Sequence, residues 1–239
     1  MTVSTEPLVY DPYAYEIHED PYPTYARLRD EAPVYRNEER GFWALSRHAD
    51  VMAAFRDSDR FSNAQGVSID PAASGPHAHR TMSFLAMDPP QHGRMRGLVS
   101  RAFTPRRVAE MEDGIRALTV QHLEPALATG SFDFVTDLVG KVPMDVISEM
   151  LAVPRDDRSE LRRLSDLLVH REEGVTDVPP SGVEAALSLV VYYADLIADR
   201  RAHPGTDLVS ALCAAEIEGD RLTDDEITAL LFLMVVAGN

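Results

Sequence analysis

The chain has 239 residues, 45% of them hydrophobic and 26% charged, and carries a net charge of −16. That length can bury a sizeable core, while so acidic a balance excludes nucleic acid as a partner, because phosphate binding needs concentrated positive charge. Cys213 is the only cysteine, which rules out an internal disulfide and suits a reducing compartment.

The opening MTVSTEPLVYDPYAYEIHED has neither a basic start nor an apolar run, so it does not read as a signal peptide. From Tyr22 to Glu31 the pattern predicts a short helix carrying Tyr25 and Leu28, stopped before Pro33. Val34 to Arg36 and Phe42 to Ser46 read as two strands of a hairpin around the polar turn Asn37 to Gly41. Ala49 to Asp57 is expected as a second helix with Val51, Met52 and Phe55 inward. Ser62 to Ala86 shows no sustained period and reads as a long loop, and loops of that length are usually functional or disordered. Thr104 and Pro105 form a cap and first-turn pair opening a long helix to about Ala128. Ser131 to Phe134 is a strand candidate, Val142 to Leu151 an apolar helix, and Asp156 to His170 an amphipathic one. A Gly- and Pro-rich break from Gly174 to Gly182 precedes a helix from Val183 to Arg201, with Ser181 and Glu184 at capping-box spacing. Thr206 to Ile217 reads as a helix followed by a turn at Gly219. Thr223 to Glu226 form a capping box that opens a final helix, apolar on every side from Ile227. A helix apolar all round belongs inside a core, so Leu230, Leu231, Phe232, Leu233 and Met234 are expected to need partners beyond this chain. The longest apolar run, Ala229 to Ala237, is far short of the ~20 residues of a membrane span. No membrane contact and a cytoplasmic location are expected.

The chemistry is concentrated in DPPQHGRMRGLVSRAFTPRR, Asp88 to Arg107. Asp88 is expected to cap a helix, with Pro89 and Pro90 where no amide donor is needed and Gln91 at capping-box spacing. His92, Arg96, Val99 and Phe103 recur at steps of four, three and four and so share one face. An imidazole and a guanidinium one turn apart suit a ligand with acid groups at one edge. No acid occurs between Asp88 and Glu110, which makes Arg94, Arg96, Arg101, Arg106 and Arg107 a basic island.

At this point the chain resembles the N-terminal portion of a soluble, bacterial-type cytochrome P-450, a haem-thiolate monooxygenase. The segments that carry the resemblance are DPYPTYARLRDEAPVYR, GFWALSRHADV, MDPPQHGRMRGLVSRAFTPRRV, GTDLVSALCAAE and LTDDEITALLFLMVVAGN. The resemblance implies a mainly α fold with a small β-hairpin, comprising helices A to I. It implies one incomplete domain over 1–239: helix A, the hairpin and helix B in 22–66, a substrate-covering loop in 67–87, helices C to H in 88–217, and the start of the I helix in 223–239. Gly174 to Gly182 would be a mobile lid. The implied cofactor is haem (heme, iron protoporphyrin IX), with His92 and Arg96 matching the pair that anchors its propionates. Phe103, Ala237 and Gly238 are expected beside it, the last two where the I helix crosses the oxygen-binding face. Phe84, Leu85, Leu233 and Val236 are expected to line the substrate pocket.

The implied reaction inserts one atom of O₂ into a small hydrophobic organic substrate, in secondary metabolism or xenobiotic oxidation. Electrons would come from NAD(P)H through a ferredoxin-type partner docking near Arg94, Arg101, Arg106 and Arg107. The departures matter as much. The family's I-helix acid–alcohol pair, its E-x-x-R motif and its F-x-x-G-x-x-x-C loop are absent from these residues, and Cys213, in LVSALCAAE, reads as helix interior. No metal ligand is expected in this chain, and catalysis by it alone is not expected. The competing reading is a non-catalytic helical fragment or pseudoenzyme that binds haem or a hydrophobe weakly.

Overall fold

A computed structural model describes residues 7–170, 172 and 177–238. They fall into two compact units, one within Met1–Ser62 and Glu172–Asp177, the other within Asn63–Arg171 and Val178–Asn239. Of the break expected from Gly174 to Gly182, Gly174 to Thr176 lie outside the described residues.

The first unit holds α1 (Tyr15–Glu19), α2 (Tyr22–Glu31), β1 (Val34–Asn37), β2 (Phe42–Leu45) and α3 (His48–Phe55). The hairpin is antiparallel, pairing Val34 with Leu45 and Asn37 with Phe42. Its turn closes at Gly41, whose φ of 70° is open to glycine without strain. Asn37 is buried but satisfied: its Nδ2 donates to the Tyr10 carbonyl at 3.0 Å, and its Oδ1 accepts the Arg40 N–H at 2.8 Å. The Tyr10 ring meets Tyr25, Tyr35 and Phe42 edge-on, so this unit is built around aromatic contacts. Phe55, expected inward, is 84% exposed. Its helix ends there, and the ring lies at that terminus instead of over a core.

The second unit carries a sustained apolar core. The expected long loop contains a 3₁₀ turn (Pro71–Ala73), the short helix α4 (His79–Met82) and a second 3₁₀ turn (Ser83–Ala86). Turns of three or four residues leave no periodic trace in a sequence, so the segment reads there as a plain loop. Then come α5 (Gln91–Ala102), α6 (Pro105–Glu110) and α7 (Glu112–Ala128). Thr104 caps α6 as expected, its Oγ1 accepting the Arg107 N–H at 3.3 Å, but the predicted single helix breaks at Met111. The strand expected at Ser131 to Phe134 does not form. Asp133 Oδ1 accepts the N–H groups of Val135 and Thr136 at 2.9 and 2.8 Å, a capping arrangement that starts a helical turn instead. A π turn (Val135–Val139) leads into α8 (Val142–Met150), and a 3₁₀ turn (Arg155–Asp157) into α9 (Arg158–Val169).

The long α10 (Pro180–Ala202) begins at a proline in the first turn, so Ser181 lies inside it and not at its cap. By length and composition α10 could cross a membrane. Its Ala185, Leu189, Tyr193 and Ile197 are nevertheless buried at helical spacing in the core. The next helix, α11 (Leu208–Ala214), is shorter than expected, because Asp207 caps it through the Ser210 N–H at 2.9 Å. Ile217 lies in a two-residue strand, with β3 (Glu216–Ile217) pairing β4 (Asp220–Arg221). The capping box of α12 (Asp224–Gly238) forms as predicted: Glu226 accepts the Thr223 N–H at 2.8 Å, and Thr223 accepts that of Glu226 at 3.2 Å.

Leu230, Leu231 and Phe232 of α12 are buried, by partners within this chain. The expectation that they require other partners fails for these three, because α8 to α11 close around them. Leu233 and Met234 are half-buried. One polar group ties three helices together: Asp145 of α8, buried, accepts Arg162 Nη2 of α9 at 2.6 Å and lies 2.6 Å from His122 Nε2 of α7.

Candidate functional site

The site is built on α5. Its Met95, Leu98, Val99 and Ala102 recur at steps of three, one and three, and all four are buried, so one stripe of the helix is fixed against the core. The cap differs from expectation. Asp88 Oδ1 accepts the Asn63 N–H at 2.8 Å, Pro90 occupies the cap position, and the Asp88 carbonyl accepts the His92 N–H at 3.0 Å. A backbone donor from the preceding loop took the carboxylate that the helix was expected to use. Phe103 has left the helix, at its C-terminal cap, and packs half-buried on the core.

The basic island separates into different roles. Arg94 is fully engaged: Nε and Nη2 grip Asp220 at 2.6 and 2.8 Å, Nη1 meets Glu226 Oε1 at 2.5 Å, and Nη2 also donates to the Arg221 carbonyl at 3.1 Å. These carboxylates hold the Arg94 guanidinium well above its ordinary value, and Arg94 in turn holds the Asp220 carboxyl below the usual range. Its expected place in an open docking patch is therefore corrected. Arg106 pairs with Glu110 at 2.8 Å on the surface. Arg96 is exposed, and among the described residues no hydrogen bond or ion pair engages it. The half-buried His92 stands one turn earlier, its ring edge-on to Phe84 at 6.0 Å. A guanidinium with no partner among the described residues, in a chain of net charge −16, is a ready donor to a carboxylate.

The expected substrate residues divide. Phe84 and Val236 pack half-buried on the core cluster, while Leu85 is exposed and Leu233 lies outside that cluster. Leu233, Val236 and Ala237 fall at steps of three and one, on one side of α12. Gly238 faces α8. A Cβ there would collide with Ile147 Cδ1 and come 3.9 Å from Met144 Sδ, so packing alone gives this glycine a reason. A cleft of about 1240 Å³ opens between the loop after Asn63, α10 and the first turns of α12. Its walls include Ser83, Ala86, Met87, Leu187, Thr228 and Ala229, none of which the sequence singled out. The Ser83 hydroxyl there is buried without a partner among the described residues, and Ser83 has a φ of 49°; no sequence pattern announces either feature.

Cys213 is half-buried against the core, and burial pushes its thiol up, the opposite of what a thiolate ligand requires. Among the described residues no three His, Cys, Asp or Glu side chains assemble as a metal site.

Over 232 residues the chain is 60% identical to cytochrome P-450 123 of Mycobacterium tuberculosis, covering 97% of this chain and 58% of that protein. The chain is homologous to the bacterial cytochromes P-450. The polyketide biosynthesis cytochrome P-450 PksS of Bacillus subtilis is 31% identical over 244 residues, 98% of this chain and 60% of that protein, and its structure superposes with a TM-score of 0.82. The structure of a cytochrome P-450 from Chondromyces apiculatus gives the same TM-score of 0.82 at 31% identity, covering 95% of this chain and 56% of the other. The chain thus spans somewhat over half the length of the P-450 proteins it matches, and the stretch matched is their N-terminal portion. The mostly helical architecture with two small hairpins is the corresponding part of the P-450 fold. No protein-family model matches the chain. Relatives in this family carry haem.

Proposed function

We propose that this chain forms the haem-edge and distal side of a haem-dependent monooxygenase that inserts one atom of O₂ into a small apolar organic substrate. The observation that carries the reading is Arg96, an exposed guanidinium with no acidic partner among the described residues, one turn from the His92 imidazole. That donor set fits the two propionates of a haem: planar charge-assisted donation from Arg96 and one further hydrogen bond from His92. The donor set does not supply the iron ligand, since the Cys213 thiol is held protonated against the core. Bound haem supplies the oxygen-activating chemistry; the protein orients it and excludes water. In this reading Phe103 and Ala237 border the cofactor, with Gly238 setting how closely α12 and α8 approach. Leu85, Leu233 and Val236 present apolar surface to the substrate, and Phe84 backs the His92 ring.

The name of PksS, a polyketide biosynthesis enzyme, supports a natural-product type of substrate. Electrons would arrive from NAD(P)H through an acidic ferredoxin-type protein meeting Arg101 and Arg107, whose side chains have no acidic partner among the described residues. Such attraction mainly speeds encounter. A cytoplasmic location fits these partners.

Absorption titration of the chain with hemin tests the reading. Wild type is expected to take up hemin without a thiolate-type spectrum in the reduced, CO-bound form. Arg96→Ala should weaken uptake about tenfold or more, the loss of one charge-assisted bond. Equal uptake by Arg96→Ala and wild type would remove the anchor assignment, and a thiolate-type spectrum would overturn the statement about Cys213.

A further inference from the structure

We infer that Arg94 is a positioning residue: it sets the rotation of α5 about its own axis, and so aims His92 and Arg96, by gripping the β3–β4 hairpin and the first turn of α12. The inference rests on the haem-edge reading only for what those two side chains are aimed at.

Successive residues of a helix turn by about 100°, so residues two apart leave on opposite sides. Arg94 follows His92 by two positions and precedes Arg96 by two, and its head therefore leaves α5 away from both of theirs. On its own side the head meets acceptors from two elements: both carboxylate oxygens of Asp220 and the Arg221 carbonyl on β4, and the Glu226 carboxylate on α12. A planar fork that satisfies three groups fixes angle as well as distance, which a single ammonium point charge cannot do.

Two neighbours make the grip rigid. Glu226 is itself held, because its Oε2 accepts the Thr223 N–H at 2.8 Å and so closes the capping box of α12. One turn along the same side of α5, Ile217 of β3 rests over Gly97, where an added Cβ would lie 3.5 Å from Ile217 Cδ1. The hairpin thus holds α5 by a polar contact at one turn and an apolar contact at the next. With Met95 and Leu98 of the same helix buried in the core, α5 cannot turn without breaking the fork.

The partners lie 126 and 132 residues from Arg94 in sequence, so this is a long-range constraint and not a feature of the helix alone. A control is available at the same end of α12. Arg201 Nε pairs with Asp224 Oδ1 at 2.6 Å, and Arg201 Nη2 donates to the Leu222 carbonyl at 3.3 Å; this ties α10 to α12.

Amide hydrogen exchange on the 239-residue chain, with hemin titration beside it, tests the inference. Arg94→Gln is expected to speed exchange over residues 91–97 about tenfold or more, a local opening that Arg201→Gln does not produce. Hemin affinity should fall severalfold in Arg94→Gln and stay level in Arg201→Gln. Arg94→Lys should recover thermal stability more fully than hemin affinity, because charge is kept and the fork is lost. If Arg94→Gln does not fold, Asp220→Asn, on an exposed hairpin residue, breaks the same fork and gives the same local exchange. Equal exchange over 91–97 in the Arg94 and Arg201 variants overturns the inference, as does unchanged exchange in Asp220→Asn. Faster local exchange without hemin uptake by any form upholds the positioning role and removes the haem-edge reading instead.

Discussion

Replacing Asp145 by Ala should be among the most damaging single changes in the second unit. The Asp145 side chain is only 10% exposed and serves two cations or donors at once, Arg162 Nη2 and His122 Nε2, each at 2.6 Å. Removing one partner of a buried pair typically costs about 3–5 kcal/mol, because the other charge stays desolvated. The Arg162 side chain is 27% exposed and can partly rehydrate, which lowers the expectation to roughly 2–4 kcal/mol. Arg162 Nε is already buried without a partner among the described residues, which adds to the cost. Against a typical total of about 5–15 kcal/mol, the loss is large. Urea unfolding reads it: with slopes of about 1–3 kcal/mol per molar, the midpoint should fall by roughly 1–2 M. Far-UV ellipticity is the right probe, because the only tryptophan, Trp43, lies in the other unit. A double-mutant cycle with Arg162→Gln should return a coupling of about 1 kcal/mol or more. A loss below about 0.5 kcal/mol, or strict additivity in the cycle, would refute the claim that this network ties α7, α8 and α9.

Two further outcomes are expected. Tyr193 is wholly buried and its hydroxyl has no partner among the described residues, and burial holds the phenol above its ordinary value; Tyr193→Phe should therefore leave stability equal or raise it by up to about 1 kcal/mol, and a clear fall in melting temperature would show that the hydroxyl is bonded. Asp220 is held below its ordinary value by Arg94, so its contribution is present above the unfolded carboxylate value near ~3.9 and lost as pH falls through the lower folded value; Asp220→Asn should flatten the acid limb of a midpoint-against-pH curve, and an unchanged limb would count against the Arg94 pairing.

Local chemistry was largely legible in the sequence. The bounds of α2, the β1–β2 hairpin, the Thr104 cap and the Thr223–Glu226 capping box all rest on residues within a few positions of one another. What the sequence missed was competition. Asp88 has the right identity and spacing for a cap, yet a backbone donor 25 residues earlier takes its carboxylate. Ser131 to Phe134 has strand-like residues, but Asp133 in their midst caps a helical turn. At the site, the DPPxHxxxR pattern pointed to His92 and Arg96, and family similarity along 97% of the chain supports the frame. Arg94 looked like one more member of a basic run because nothing local reveals partners on a distant hairpin. The 1240 Å³ cleft was equally invisible, being assembled from the loop after Asn63 and from α4, α5, α10 and α12, far apart in sequence.

The contact between Gly238 and Ile147 leaves no room for another carbon between α12 and α8. Positions 147 and 238 are thereby joined as one volume shared by two residues. Across related chains, an alanine at the second position is expected to travel with a smaller residue at the first. Variation at either site is thus a question of heredity for the pair, and an engineer who enlarges one must trim the other in the same step.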